Sequence, residues 1–201
     1  MPEFVVDPDA VHEFKDRVAL ERWYARHHGK AGELWIKLHK KASGLPSVTN
    51  AEALDVALCW GWIDGIRKPH DDKSFLQRYT PRGKTSTWST RNQEHVARLI
   101  KEGRMMPPGQ TEIDRAKADG RWAKAYGGAR TMEFPDDLLA AIEAEPKARE
   151  LFKKLNAQNR YSLAFRIHNM KTPAGRAKKI ASFVDMLKRG ETIHPNGKKR
   201  K

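Results

Sequence analysis

The sequence predicts an α+β protein, with a short antiparallel sheet and packed helices followed by a C-terminal helical module. Three observations carry that reading. Leu34, Ile36 and Leu38 alternate with Trp35, Lys37 and His39, the period of a half-buried strand. Residues 50–60 form an apolar run opened by Thr49-Asn50-Ala51-Glu52, a capping box leading into a helix that belongs inside a fold. Beyond Gly127-Gly128, successive segments carry apolar residues at the helical period.

In chain order, residues 1–15 read as a loose arm ending in a short strand over Val11 to Phe14. Asp16 then caps a helix over Arg17 to His28, with Val18, Leu20, Trp23 and Tyr24 on its buried side and Gly29 closing it. The strand from Leu34 comes next, followed by the buried helix from Asn50 to about Trp60. Gly61 stops that helix and sends Trp62-Ile63-Asp64 out of the core. Ser74 to Thr80 reads as a further strand, whose hydrogen bonding Pro81 ends. Ser89 or Thr90 caps a helix with Val96, Leu99 and Ile100 inside, closed by Gly103. Met105 to Gly109, with two prolines, reads as a rigid connection before a short helix capped by Thr111 and ended by Gly120.

Gly127 to Thr131 is the strongest boundary signal. The expected organisation is therefore an arm (1–15), an α+β domain (16–130), a helical module (131–190) and a basic disordered tail (191–201). In the module, Pro135 and Pro146 sit where helices start. Leu138, Leu139 and Ile142 make one stripe; Leu151, Phe152 and Leu155 a second; Tyr161, Ala164, Phe165 and His168 a third, widened by Leu163, Ile167 and Met170. Thr172-Pro173 opens a last helix with Ile180, Phe183, Val184 and Leu187 inside, ended by Gly190. Four short amphipathic helices in a row suggest a small bundle.

A chain of 201 residues, 39% hydrophobic and 32% charged, can bury a real core beneath a heavily solvated surface. No run of about 18 apolar residues occurs, so no transmembrane helix is expected. Residues 1–7 lack a basic segment followed by an apolar one, so no secretory signal is read and the expected compartment is the cytoplasm. The single cysteine, Cys59, lies in the apolar run Val56 to Trp60 and reads as a small buried hydrophobe rather than a nucleophile. The net charge is +14. Removing Lys198, Lys199, Arg200 and Lys201 still leaves 35 Lys and Arg against 25 acids. Such a surface attracts polyanions.

The eight histidines are scattered, and no phosphate loop, dinucleotide fingerprint or nucleophile elbow is present. No metal and no cofactor are therefore expected, and no catalytic residue is assigned. Chemistry concentrates in one stretch instead. Asp64, Arg78, Arg82 and Ser86, walled by Trp60, Trp62 and Trp88, make a candidate pocket in which Arg82 would clamp a carboxylate or phosphate or stack on an indole. The alternative is that Asp64 and Arg82 pair and tie the loop to the core. A second basic group, Arg176 and Lys179 on the last helix together with the tail residues Lys198 to Lys201, is a candidate polyanion surface.

The motifs Ala57-Leu58-Cys59-Trp60-Gly61-Trp62-Ile63-Asp64-Gly65, Gln77-Arg78-Tyr79-Thr80-Pro81-Arg82 and Ser86-Thr87-Trp88-Ser89, with the helical segment from Phe134 to Leu187, resemble the YdeI/OmpD-associated family of bacteriocin-protection proteins. The resemblance implies a small bacterial protein linked to tolerance of bacteriocins or cationic antimicrobial peptides, with an outer-membrane porin as partner by the family's name, and the leading expectation is a non-enzymatic stress-protection or binding protein. Two alternatives stand beside it: a nucleic-acid-binding accessory protein using its basic surface and tail, or an enzyme acting on an anionic small molecule.

Overall fold

Asp16 accepts a hydrogen bond from the Ala19 amide, and Thr49 and Glu52 close a reciprocal capping box, so the two helices that frame the first half start where their side chains satisfy free amides. The structure is a computed structural model that describes residues 6–128 and 132–197. It divides into two compact units, one through Ala125 and one from Tyr126.

The first unit runs β1 (Val11–Glu13), α1 (Arg17–His27), β2 (Leu34–His39), α2 (Asn50–Cys59), β3 (Trp62–Pro69), β4 (Ser74–Pro81), α3 (Thr90–Lys101) and α4 (Pro107–Ala118). The strands form one sheet in the order β1-β2-β4-β3. β4 pairs antiparallel with both β2 and β3, but β1 pairs parallel to β2, opposite Trp35 to Lys37. The sheet is thus mixed rather than antiparallel throughout. The physical reason is α1: a helical crossover returns the chain to lay β2 in the direction of β1, which a tight turn cannot do.

Leu20 and Tyr24 from α1, Leu34, Ile36 and Leu38 from β2, and Trp62 and Tyr79 from the neighbouring strands form one apolar cluster on one flank of α2. Leu54, Leu58 and Cys59 on its other flank meet Trp88, Val96, Leu99 and Ile113 in a second. That double burial explains why α2 is apolar nearly all round. Gly61, at φ +76, turns the chain out of α2 directly into β3.

Several expectations change. Trp35 is buried, so β2 is covered on both faces around it. Val18 is exposed and Trp23 only partly buried, leaving Leu20 and Tyr24 to anchor α1. Gly29 does not take the left-handed conformation, and α1 ends at His27 with the His28 amide bonded to the Tyr24 carbonyl. Ile100 is exposed although it follows the helical period of α3. The connection after Gly103 is shorter than expected because α4 starts at Pro107, and Thr111 lies inside it with its hydroxyl on the Pro107 carbonyl.

The second unit contains α5 (Asp136–Glu143), α6 (Pro146–Lys153), α7 (Ala157–His168) and α8 (Pro173–Lys188). Leu138, Ile142, Phe152, Leu163, Ile167, Phe183 and Leu187 form its core. Leu163, Ala164 and Ile167 carry the buried stripe of α7, while Tyr161 and Phe165 stack on each other outside it, ring centroids 5.6 Å apart. Among the described residues, no helix is long and apolar enough to cross a membrane.

Candidate functional site

Pro81 ends β4 opposite Trp62, which puts Arg82 immediately beyond the sheet, where its amide bonds the Gly61 carbonyl at 3.0 Å. Arg82 is buried. Its guanidinium lies 3.5 Å from the centroid of the Trp88 ring, and Nη1 donates to the Thr87 carbonyl at 3.2 Å. Trp88 packs in turn on Trp122, centroids 4.8 Å apart. Two more arginines fasten the same loop: Arg115 donates to the Arg82 carbonyl and Arg121 to the Ser86 carbonyl, at 3.4 and 2.7 Å.

The other residues of the sequence-predicted pocket are distributed around this core. Trp62 is buried in the sheet cluster, edge-on to Tyr24 with centroids 5.3 Å apart, whereas Trp88 belongs to the α2–α3–α4 cluster. The two indoles do not share a cluster. Arg78 donates from Nε to Glu33 at 2.6 Å. Asp64 is exposed as a residue on β3, yet burial of its carboxyl raises its pKa above 3.8, against a backbone hydrogen bond and the pull of Arg82, Arg91 and Arg67. It forms no ion pair among the described residues. Trp60 caps α2 and packs partly buried between both clusters, its ring 4.6 Å from that of His28.

On α8, Arg176 is partly exposed, but its guanidinium is engaged within the unit. It grips Asp137 through Nε and Nη2 at 2.6 and 2.8 Å and donates Nη1 to the Ile167 carbonyl at 2.9 Å, capping the end of α7. These bonds hold the Asp137 carboxyl below the usual carboxylate range. Lys179 leans over the Phe183 ring at 5.7 Å. The tail cations Lys198, Lys199, Arg200 and Lys201 lie outside the described residues.

Two features of the first unit escaped the sequence reading. The first is a charged network around Asp55, a buried acid on the apolar helix α2. Arg98 Nη2 reaches both Asp55 oxygens at 2.7 Å, and His95 Nδ1 sits 2.7 Å from Oδ1. Burial pushes the Asp55 carboxyl up, but the hydrogen bonds from Arg98 and His95 outweigh it and leave the pKa below 3.8. Arg104 extends the network to Glu102 at 3.2 Å and Glu21 at 3.8 Å. A buried acid in an apolar helix requires a partner, so Asp55 itself was the available signal.

The second is a cleft of about 450 Å³ between α1, α2 and the connection from α3 to α4. Val18, Val56, Trp60 and Met106 give it apolar walls, and Arg17, Glu21, Arg22 and Arg104 supply its charge. Cys59 also reaches its lining, but burial raises the thiol pKa to about 11, far above that of a working nucleophile.

Fold and site together define a two-unit α+β protein with a basic surface and a ligand-sized cleft in its first unit. Residues 12–112, just over half of the chain, match the family described as Domain of unknown function (DUF8412), and the chain belongs to that family. Residues 131–190 match the family described as Bacteriocin-protection, YdeI or OmpD-Associated, so the helical module carries that resemblance. The Ala57–Gly65 motif falls within the first of these matches. No curated protein and no solved structure matches the chain.

Proposed function

We propose that this protein contributes to tolerance of bacteriocins or cationic antimicrobial peptides, and that it acts by binding rather than by catalysing a reaction. The observation that carries this reading is the match of residues 131–190 to a family described in those terms. The chemistry of the first unit supports it: Arg82 is committed to Trp88 and Thr87, Arg78 to Glu33, and the Cys59 thiol is held protonated. An envelope protein is the partner that the family's description suggests. A free cysteine supports a reducing compartment, so the reading keeps the protein itself in the cytoplasm.

The test compares cells with and without the protein under challenge by a bacteriocin and by a cationic peptide. Higher survival with the protein is expected, and equal survival would overturn the reading. The net charge of +14 favours a second reading, a nucleic-acid accessory protein. That alternative is marked by equal survival together with nucleic-acid binding that weakens steeply with salt.

A further inference from the structure

The cleft between α1 and α2 has a size, a lining and a local imbalance of charge that the family resemblance does not address. Its volume of about 450 Å³ lies within the range of small-molecule sites. Its walls combine an indole, a thioether and two valines with polar groups at the rim, the composition that such sites favour.

Three details specify the occupant. Val18 stands at the cleft with 45% of its surface exposed, on the face of α1 that it shares with Arg22 and Ala25 and that points away from Leu20 and Tyr24. With Val56, Trp60 and Met106 it makes an apolar wall on which a ring-sized body can lie. The lining carries three guanidinium groups, Arg17, Arg22 and Arg104, against the single carboxylate of Glu21, while behind it Glu102 and Asp55 lie 3.2 and 3.9 Å from Arg104 Nη1. Arg17 is paired with Glu21 at 3.2 Å, whereas Arg22 forms no ion pair among the described residues. Arg104 keeps two donors, Nε and Nη2, that are shielded from solvent and have no hydrogen-bond acceptor; Nη2 lies 3.8 Å from the Glu21 carboxylate. Buried donors without acceptors are costly, so an acceptor brought to Arg104 would be bound favourably.

We infer that this cleft binds a small organic anion: a carboxylate or sulfonate carried on an apolar, ring-sized body. The body lies over Val18 and Trp60, and the acid group meets Arg104 and Arg22. The site belongs to the first unit and does not depend on the peptide-tolerance reading, which rests on the second. Equal survival in the challenge assay leaves it untouched.

The probe is 8-anilinonaphthalene-1-sulfonate, an aromatic anion whose fluorescence reports transfer to an apolar site, titrated into the full chain under conditions where its near-ultraviolet circular dichroism is native. One saturable site is expected. The neutral analogue N-phenyl-1-naphthylamine should bind about tenfold or more weaker, since a hydrogen bond to a charged group carries at least that factor. Arg104→Gln should weaken the anionic probe by about the same factor. Because Arg104 also belongs to the Asp55 network, Val18→Asp provides the independent variant: its side chain is exposed, so the fold tolerates it, and it places a carboxylate at the cleft. It too should weaken the anionic probe by about tenfold or more. Absence of saturation, equal binding of the neutral analogue, or wild-type affinity in Val18→Asp would each overturn the inference.

Discussion

Arg82 keeps a permanent charge inside the protein, which is tolerable only because its surroundings replace water. The Trp88 ring at 3.5 Å supplies a cation–π face, and the Thr87 carbonyl takes one of its donors. The same side chain therefore holds the loop after β4 in place, with Arg115 and Arg121 bonding that loop's carbonyls from α4 and the segment after it. Arg82→Ala should cost about 2–4 kcal/mol in urea denaturation, because it removes the stacked cation and leaves a hole beside a buried indole. A loss below about 1 kcal/mol would mean a surface role, the outcome expected of a residue that only clamps a ligand. Asp64 differs from Arg82 at the same end of the sheet: it is exposed and senses the arginines without pairing to them.

At the scale of elements, the packing of α4 against the end of α2 turns on a missing side chain. The Met106 amide bonds the Cys59 carbonyl at 3.2 Å, which brings the first turn of α4 onto the last residue of α2. A Cβ at Gly109 would collide with the Cys59 carbonyl, lying 2.8 Å from its carbon, and would approach the Met105 sulfur at 2.6 Å. The carbonyl belongs to a helix end buried on both flanks and cannot yield. Gly109→Ala should therefore destabilise the protein by about 2–3 kcal/mol despite its better helix propensity. A gain in stability, measured by thermal or urea unfolding, would show that α4 is free to shift.

The same elements show why some of the fold could be read in the sequence and some could not. α1 and α2 were readable because their caps are side chains a few residues from the amides they satisfy, a local signal. β3 as a whole is not legible: it is an edge strand with exposed residues from Asp64 to Arg67, and its pairing is irregular between those two positions, so no alternation survives. The parallel pairing of β1 depends on where α1 delivers the chain, which is not a local property. The candidate pocket was drawn from residues that are near in sequence, but Trp62 and Trp88 pack on different sides of the core. The cleft and the Asp55 network join residues from α1, α2, α3 and the turn before α4, a combination that no spacing encodes.

On the scale of the whole molecule, a chain with a net charge of +14 has few acids to distribute, and the first unit shares several of them. Asp55 serves Arg98 and His95, Glu102 serves Arg98 and Arg104, and Glu21 serves Arg17 and Arg104. These bonds connect α1, α2, α3 and the connection to α4, so they oppose the mutual repulsion of the excess cations. Asp55 is the buried centre of that arrangement, and its folded pKa lies below 3.8. A carboxylate with a depressed folded pKa stabilises the fold fully above its unfolded pKa, and the contribution disappears as pH falls through the folded value. Asp55→Asn should therefore cost about 2–3 kcal/mol at pH 7, where it leaves Arg98 facing a neutral group. The gap between the variant and the wild type should narrow once the pH drops below 3.8 and close when Asp55 is protonated. Urea unfolding of both proteins at a series of pH values from 7 down to 3 makes the measurement. A gap that stays constant over that range would show that the Asp55 charge contributes nothing and that only the shape of its side chain matters.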